Sequence, residues 1–400
     1  MRRREFIQAG AALVPVLAGV GRFRPRQATR VVVVGAGAFG GWTAWYLLKA
    51  GMQVTLLDPW GPGNSRSSSS GDTRIFRATY GTLRVFTQLA ARALTLWQEH
   101  EKRWNRTLYV RTGSLRIKSV DDDRSEQAAM PLLREAGLSL EAVAVADAAR
   151  RYPQVSFEGV KKVFFEREAG FLNARDATRL VVEQFVAAGG TYRQVAALPG
   201  EKTAGRLTGV TLSDGTTLTA EHYVFACGAW LREIIPEVVG DLIRPTRQEQ
   251  FYFGTPEGDN RFNDPQMPVW VDSDKRVFYG IPGNSGRGFT VADDTRGPRF
   301  EPTTGDRMPS AEGLAAARDV LTRRFPALKD APLLEARVCQ YENTQDGTFI
   351  VDRHPLAKNM WIVGGGSGHG FKHGPAVGEM VAGLVRGERD LEPAFKLSRF

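Results

Sequence analysis

The chain has 400 residues, 42% hydrophobic and 24% charged, with a formal net charge of +9. That length fits about two domains, the composition excludes disordered and fibrous classes, and two cysteines cannot make a disulfide framework. Residues 1–28 carry six Arg against one Glu and no dense Lys/Arg run follows, so the basic balance belongs to the leader and nucleic-acid binding is not expected.

In that leader, Arg3-Arg4-Glu5-Phe6-Ile7 fits a twin-arginine motif. The apolar stretch at residues 9–20 is too short, and too interrupted by glycine and Pro15, for a comfortable membrane span. Residues 1–28 are therefore expected to be a twin-arginine signal peptide. It would engage the twin-arginine translocase and carry a folded, cofactor-loaded protein to the periplasm. An uncleaved, membrane-anchored leader stays open.

Residues 31–58, VVVVGAGAFGGWTAWYLLKAGMQVTLLD, read as strand, glycine turn, helix, strand and terminal acid. Gly35 makes the turn, Gly37 lets the backbone approach a pyrophosphate, and Gly40 lets helix and strand pack closely. The first helical residues, Ala38 and Phe39, offer free N–H groups to the anion. Asp58, 23 residues after Gly35, is placed to bind ribose hydroxyls. The complete order predicts dinucleotide binding without choosing between NAD and FAD.

The Gly/Ser/Pro stretch that follows is short and reads as an active-site loop rather than a linker. Apolar spacing predicts a helix over residues 82–105, then a strand at 113–119 and a polar helical stretch to about residue 149. Further on come a helix at 176–189, strands at 191–195 and 207–212, and an apolar strand at 222–228 ending in a small-residue turn. Residues 245–300 are rich in aromatics and alternate, which predicts a mostly antiparallel sheet. A helix at 311–325, a strand at 360–363 and a Gly-rich turn at 364–369 leading into a helix to about 386 complete the chain. No repeat and no zinc spacing is evident, so no metal is expected.

Six segments together resemble the FAD-dependent amine oxidases of the monomeric sarcosine oxidase type, within the D-amino-acid-oxidase superfamily. They are VVVVGAGAFG, GDTRIFRATYG (71–81), ACGAW (226–230), FYGIPG (278–283), RVCQYENT (337–344) and GGSGHGFKHGPAVGE (365–379), in the family's order and spacing. The resemblance implies an α/β protein with FAD as cofactor. A Rossmann-like FAD-binding domain of the GR2 type would take residues 29–110, 172–240 and 341–395. A second α+β substrate domain on an antiparallel sheet would take 111–171 and 241–340. It also implies hydride transfer from the C–N bond of a small amino-acid-like amine to flavin N5, with the imine then hydrolysed.

Residue by residue, the resemblance implies that Cys339 is bonded covalently to the flavin, with Arg74 close to the ring supplying positive charge for the thiolate. Gly35, Gly37, Ala38, Phe39, Gly40 and Asp58 would hold the ADP half, with Val195 also at the cofactor. Arg77 and Lys372 would hold the substrate carboxylate, and Tyr279 and Tyr341 would line its pocket. Gly368, His369, Gly370 and Lys372 would surround the flavin, where the N–H groups at the start of the last helix face charge that develops on reduction. Cys227 matches no family cysteine and reads as buried and structural.

Two positions depart from the pattern. Thr290 stands where the family's oxidases carry a lysine that speeds the reaction with oxygen, and Asp294 replaces a pocket histidine. Asp294 either pairs with a substrate amine or with a neighbouring Arg. The acceptor stays open between O2 and a quinone or redox protein. A D-amino-acid or glycine dehydrogenase, and a catalytically impaired flavin-binding protein, remain alternatives.

Overall fold

The valines at residues 31–34 are all buried, in a strand, Arg30–Val34, at the heart of a six-stranded sheet. The computed structural model describes residues 28–69, 71–274 and 276–400, so the expected leader, apart from Ala28, lies outside the described residues. The sheet runs Ile350–His354, Ala357–Gly364, His222–Phe225, Arg30–Val34, Gln53–Leu57, Thr191–Arg193, and only its first strand is antiparallel to its neighbour. A parallel sheet needs cover on both faces, which accounts for the unbroken apolar run. Val31 and Val33 pack under the helices Ala38–Lys49, Ala174–Ala187 and Gly374–Arg386. Val32 and Val34 meet a cluster with Leu57, Tyr223, Phe225 and Ile362 on the other face.

The first and last of these helices touch closely. A Cβ on Gly378 would lie 2.5 Å from the Trp42 carbonyl carbon, so glycine there sets the approach. That contact brings the glycine turn at residues 35–40 beside the one at 364–370.

The second sheet has eight strands in the order Leu333–Asn343, Arg244–Phe253, Phe289–Asp293, Val277–Ile281, Val269–Ser273, Ser114–Lys118, Lys162–Glu166, Leu140–Val143. All its pairings are antiparallel except that of Val269–Ser273 with Ser114–Lys118. Side chains alternate between its faces. Phe251, Phe253, Trp270, Phe278, Phe289 and Val291 pack with Val320, Leu321 and Phe325 of the segment around helix Ala311–Arg324. The register puts Gln250, Tyr279 and Ala292 side by side on the opposite face, with Arg337, Cys339 and Tyr341 in line along the edge strand. A three-stranded sheet, Thr73–Phe76, Gly170–Asn173, Tyr109–Arg111, carries Arg74.

Local departures from the sequence reading have local causes. The polar stretch to residue 149 is two helices, Arg124–Glu135 and Val145–Arg151, separated by the edge strand Leu140–Val143. Gly137 at φ +74° ends the first helix. The strand expected over 207–212 is split at Gly209, where a Cβ would lie 2.9 Å from the Thr217 side chain. The strand expected to reach residue 195 stops at Arg193. The last helix begins at Gly374, after a 3-10 turn Phe371–His373. Among the described residues, no helix is long and apolar enough to cross a membrane.

Candidate cofactor and substrate site

A cavity opens where the two glycine turns meet, and Gly35, Gly37, Ala38, Phe39 and Asp58 form one wall, with Gly366, Gly368 and Gly370 on another. Each motif glycine has its own reason. Gly35 has φ +103°, and a Cβ there would lie 2.3 Å from the Ala226 carbonyl oxygen. A Cβ on Gly40 would lie 1.8 Å from the Gly35 oxygen. A Cβ on Gly37 meets nothing nearer than Ser69 Oγ at 3.8 Å, so its missing side chain leaves room in the cavity, not in the protein's own packing. Beside it the Ala38 N–H at the start of the first helix donates to Ser69 Oγ at 3.4 Å. This is a cradle for an anion such as a pyrophosphate.

Asp58 is buried and accepts N–H groups from Ala36 at 2.9 Å, Trp60 at 2.9 Å and Gly61 at 2.8 Å. Burial raises its pKa and those three bonds oppose the shift. A carboxylate has roughly four acceptor sites, so one remains for a ribose hydroxyl. Val195 packs against the apolar cluster beneath the sheet, and its neighbours Ala196, Ala197 and Leu198 form the wall instead. Two buried wall oxygens, Ser68 Oγ and Glu342 Oε2, lack a hydrogen-bond partner among the described residues. The glycine cradle, the acid and these unpaired oxygens suit a dinucleotide.

On the cavity wall Arg74 is fixed by the carbonyls of Thr73 at 2.8 Å and Ser68 at 3.0 Å. Cys339 is buried two residues before Tyr341, on the same face of its strand. Burial raises the Cys339 thiol, and Arg74 followed by Arg307 pulls it back down. Arg307, which no motif announced, is held by Gln340 Oε1 and the Pro302 carbonyl, both at 2.9 Å. Burial outweighs both cations, and the thiol stays above its ordinary value. Cys227 departs from expectation: it is a half-buried free cysteine on the cavity wall, 3.5 Å from the Val34 carbonyl oxygen. Gly368 has φ +80°, and a Cβ there would lie 2.5 Å from the Tyr341 ring, so glycine seats the ring against the turn.

Tyr341 donates its hydroxyl proton to Asp294 at 3.0 Å, 3.5 Å from the Tyr279 hydroxyl, which Gln250 Nε2 reaches at 3.4 Å. Arg77 and Lys372 each lie over the Tyr80 ring, 5.1 Å from its centre. Arg77 donates to the Thr79 carbonyl at 2.7 Å and Lys372 to the His369 carbonyl at 3.0 Å. Neither makes an ion pair of 4.0 Å or less among the described residues. Burial, then the like charge of Arg77, holds Lys372 well below the ordinary lysine value. Asp294 is open on one side and otherwise enclosed by protein. Burial raises its pKa, while Arg77, the Tyr341 bond and Lys372 lower it, so it lies in the field of both cations.

The loop bearing Arg77 is tied down by Glu166, a buried carboxylate that sequence reading missed. It accepts the Ala78 N–H and the Thr79 hydroxyl, both at 2.5 Å. His369 clamps this end: one ring nitrogen is 2.9 Å from the Gly347 carbonyl oxygen and the other 3.1 Å from the Tyr80 hydroxyl. Burial drives His369 down to about 3, so it is neutral near pH 7. Thr290 is 1% exposed, paired with Tyr252 and Ile281. Among the described residues no group of His, Cys, Asp and Glu is arranged to hold a metal ion.

The sequence pattern of one family, DAO, FAD dependent oxidoreductase, matches residues 30–384. Monomeric sarcosine oxidase of Bacillus sp. (strain B-0618) is 28% identical over 89% of this chain and 91% of its own. N-methyl-L-tryptophan oxidase of Salmonella heidelberg (strain SL476) is 28% identical over 92% and 98%. The L-proline dehydrogenase of P. horikoshii shares the fold, with a TM-score of 0.81 at 21% identity over 93% of this chain and 98% of that one.

Proposed function

The chain belongs to the DAO family of FAD-dependent oxidoreductases, and from that premise we propose that it oxidises the C–N bond of an N-methyl, cyclic or other amino-acid-like amine. The observation that carries this reading is the pair Arg77 and Lys372. They are two cations over one tyrosine ring, beside the cofactor cavity and without a carboxylate partner among the described residues. A substrate carboxylate supplies the partner, through charge-assisted bonds worth about 1.5–3 kcal/mol each. The relatives named for N-methyl amino acids support the same substrate class.

FAD, when bound, supplies the hydride acceptor. Arg77 and Lys372 fix the carboxylate, and Tyr279 and Tyr341 enclose the amine and limit water around it. Asp294 places a carboxylate where a substrate ammonium would be oriented before it gives up its proton. Gly35, Gly37, Gly40 and Asp58 hold the ADP half. Cys339 anchors the flavin covalently, with Arg74 and Arg307 stabilising its thiolate. The twin-arginine motif supports export to the periplasm with the cofactor already in place.

A second reading concerns the acceptor. The buried Thr290 offers no charge to stabilise reduced oxygen, which favours a quinone or redox protein, as in a dehydrogenase of D-amino acids or glycine. The first experiment is acid denaturation of the purified protein. Yellow colour in the pellet supports the thioether and should move to the supernatant in Cys339→Ser. Anaerobic bleaching by N-methylglycine, proline or D-amino acids then tests the substrate class. If no amine bleaches the flavin, the impaired flavin-binding protein replaces the enzyme.

A further inference from the structure

We propose that Glu342 is a cofactor-binding residue whose carboxyl group hydrogen-bonds the ribityl hydroxyls of FAD. The inference rests on the flavoenzyme reading above and adds a contact that no sequence motif assigns. Glu342 lies near the end of strand Leu333–Asn343, is 8% exposed, and lines the cavity. A Cβ on Gly366 would lie 3.0 Å from its Oε1, so the glycine turn sits directly against the carboxyl group. Its Oε2 has no partner among the described residues. Interior polar atoms are nearly always paired, so an oxygen left open on a cavity wall points to a ligand.

The surroundings keep that oxygen accessible. A Cβ on Gly228 would meet nothing nearer than Oε2 at 3.6 Å, so the missing side chain leaves the space beside that oxygen open. Its place in the cavity follows from the turn after strand His222–Phe225: Gly35 packs against Ala226 and Cys227, while Gly228, the next residue, faces Glu342 Oε2. Glu342 and its neighbour Tyr341 line the same cavity as Asp58 and Cys227. The part of FAD between pyrophosphate and ring is a polyol. Its hydroxyls can donate to a carboxylate or accept from a carboxylic acid, whereas a phosphate there would meet like charge.

Burial holds the Glu342 carboxyl up to about 7, opposed by the Gly366 and Gly365 N–H groups, and the Cys227 thiol is the titratable group facing it. The nearby anionic pyrophosphate favours the neutral acid. Cofactor affinity should thus fall as pH rises through neutrality.

The test is calorimetric titration of apoprotein, in a Cys339→Ala background that removes any thioether, with FAD and with ADP at pH 6 and pH 8.5. At pH 6, where the acid is neutral, Glu342→Ala is expected to weaken FAD about ten-fold and leave ADP unchanged. Glu342→Gln keeps a hydroxyl partner and should retain most of the affinity while losing the pH dependence. Equal losses for FAD and ADP would overturn the proposal, because Glu342 would then only shape the glycine turn. Unchanged FAD affinity in Glu342→Ala would overturn it as well. Should Glu342→Ala fail to fold, the pH profile of Glu342→Gln decides: a flat profile supports the contact and an unaltered one refutes it. Failure of the unsubstituted chain to bind FAD at all would overturn the flavoenzyme reading, and this inference with it.

Discussion

At the residue scale, Gly37 and Gly40 are three positions apart but are glycines for different reasons. Gly40→Ala drives a Cβ to 1.8 Å from a backbone oxygen, so the turn must move, at a cost of about 1–3 kcal/mol or more. Its denaturation midpoint should fall with or without FAD. Gly37→Ala meets only Ser69 Oγ at 3.8 Å, and as an N-cap change should cost the apoprotein about 1 kcal/mol or less. FAD affinity should nevertheless drop about ten-fold or more, because the Cβ occupies cofactor space. Apoprotein melting and FAD titration separate the two. Lys372 carries a pH prediction. Its pKa is depressed from 10.5 by burial and by Arg77, so the ammonium is present below that lowered value and lost as pH rises through it. A simple carboxylate ligand, followed by its perturbation of the flavin spectrum, should bind more weakly as pH rises through a window below 10.5. Lys372→Met should cost about ten-fold or more at low pH and flatten the profile. A profile unchanged by Lys372→Met would remove the lysine from the carboxylate site.

At the scale of elements, helices Ala38–Lys49 and Arg84–Trp104 cross through Trp42, Trp45, Tyr46, Trp97, His100 and Trp104. His100 is 3% exposed, with ring centres of Trp42 at 4.6 Å and Trp104 at 4.5 Å, and its Nε2 is 2.9 Å from the Tyr46 hydroxyl. Burial, then Arg103, lowers its pKa from 6.5 to about 3. Between those values the unfolded chain binds the proton and the folded one does not. Stability is therefore lost as pH falls below 6.5, by about 1.4 kcal/mol per pH unit for one such group. His100→Phe should make the decline in urea midpoint from pH 6.5 to 4.5 shallower by about that amount, and an equally steep decline would refute the assignment. This helix pair was legible because apolar spacing is a local signal. Strand Leu140–Val143 was not, because only Leu140 of its four residues is buried and its partner strand begins at Lys162. The same divide runs through the site. The reasons for Gly35, Gly40 and Asp58 lie within one strand-turn-helix unit. Glu166 grips a loop 88 residues away in sequence, and Glu342 lies against a turn more than twenty residues on. Pattern in a single segment cannot show such pairings.

At the scale of the molecule, the eight-stranded sheet divides its labour by face. One face is an apolar core, and the other carries Tyr279 and Cys339 beside Tyr341, which lines the cofactor cavity. Thr290 and Tyr252 are cross-strand partners next to the Gln250–Ala292 pair, and Arg74 acts on Tyr252, Tyr279 and Cys339 together. One cation therefore already serves this end of the cavity, and the issue is whether it substitutes for a lysine at 290. Thr290→Lys tests it. The new ammonium would enter a site now 1% exposed, so the apoprotein should lose about 1–3 kcal/mol. If Arg74 is too far from the reacting face to stabilise charge on oxygen, reoxidation of the reduced protein by O2 should rise about 100-fold. Reoxidation by a soluble quinone should stay within a few-fold, because that route does not depend on a fixed cation. Stopped-flow mixing of amine-reduced protein with each acceptor reads both. If the unsubstituted protein already reacts with O2 as fast as Thr290→Lys, Arg74 suffices, and the dehydrogenase reading loses the observation that favours it. If only the lysine variant does, the natural acceptor is not oxygen.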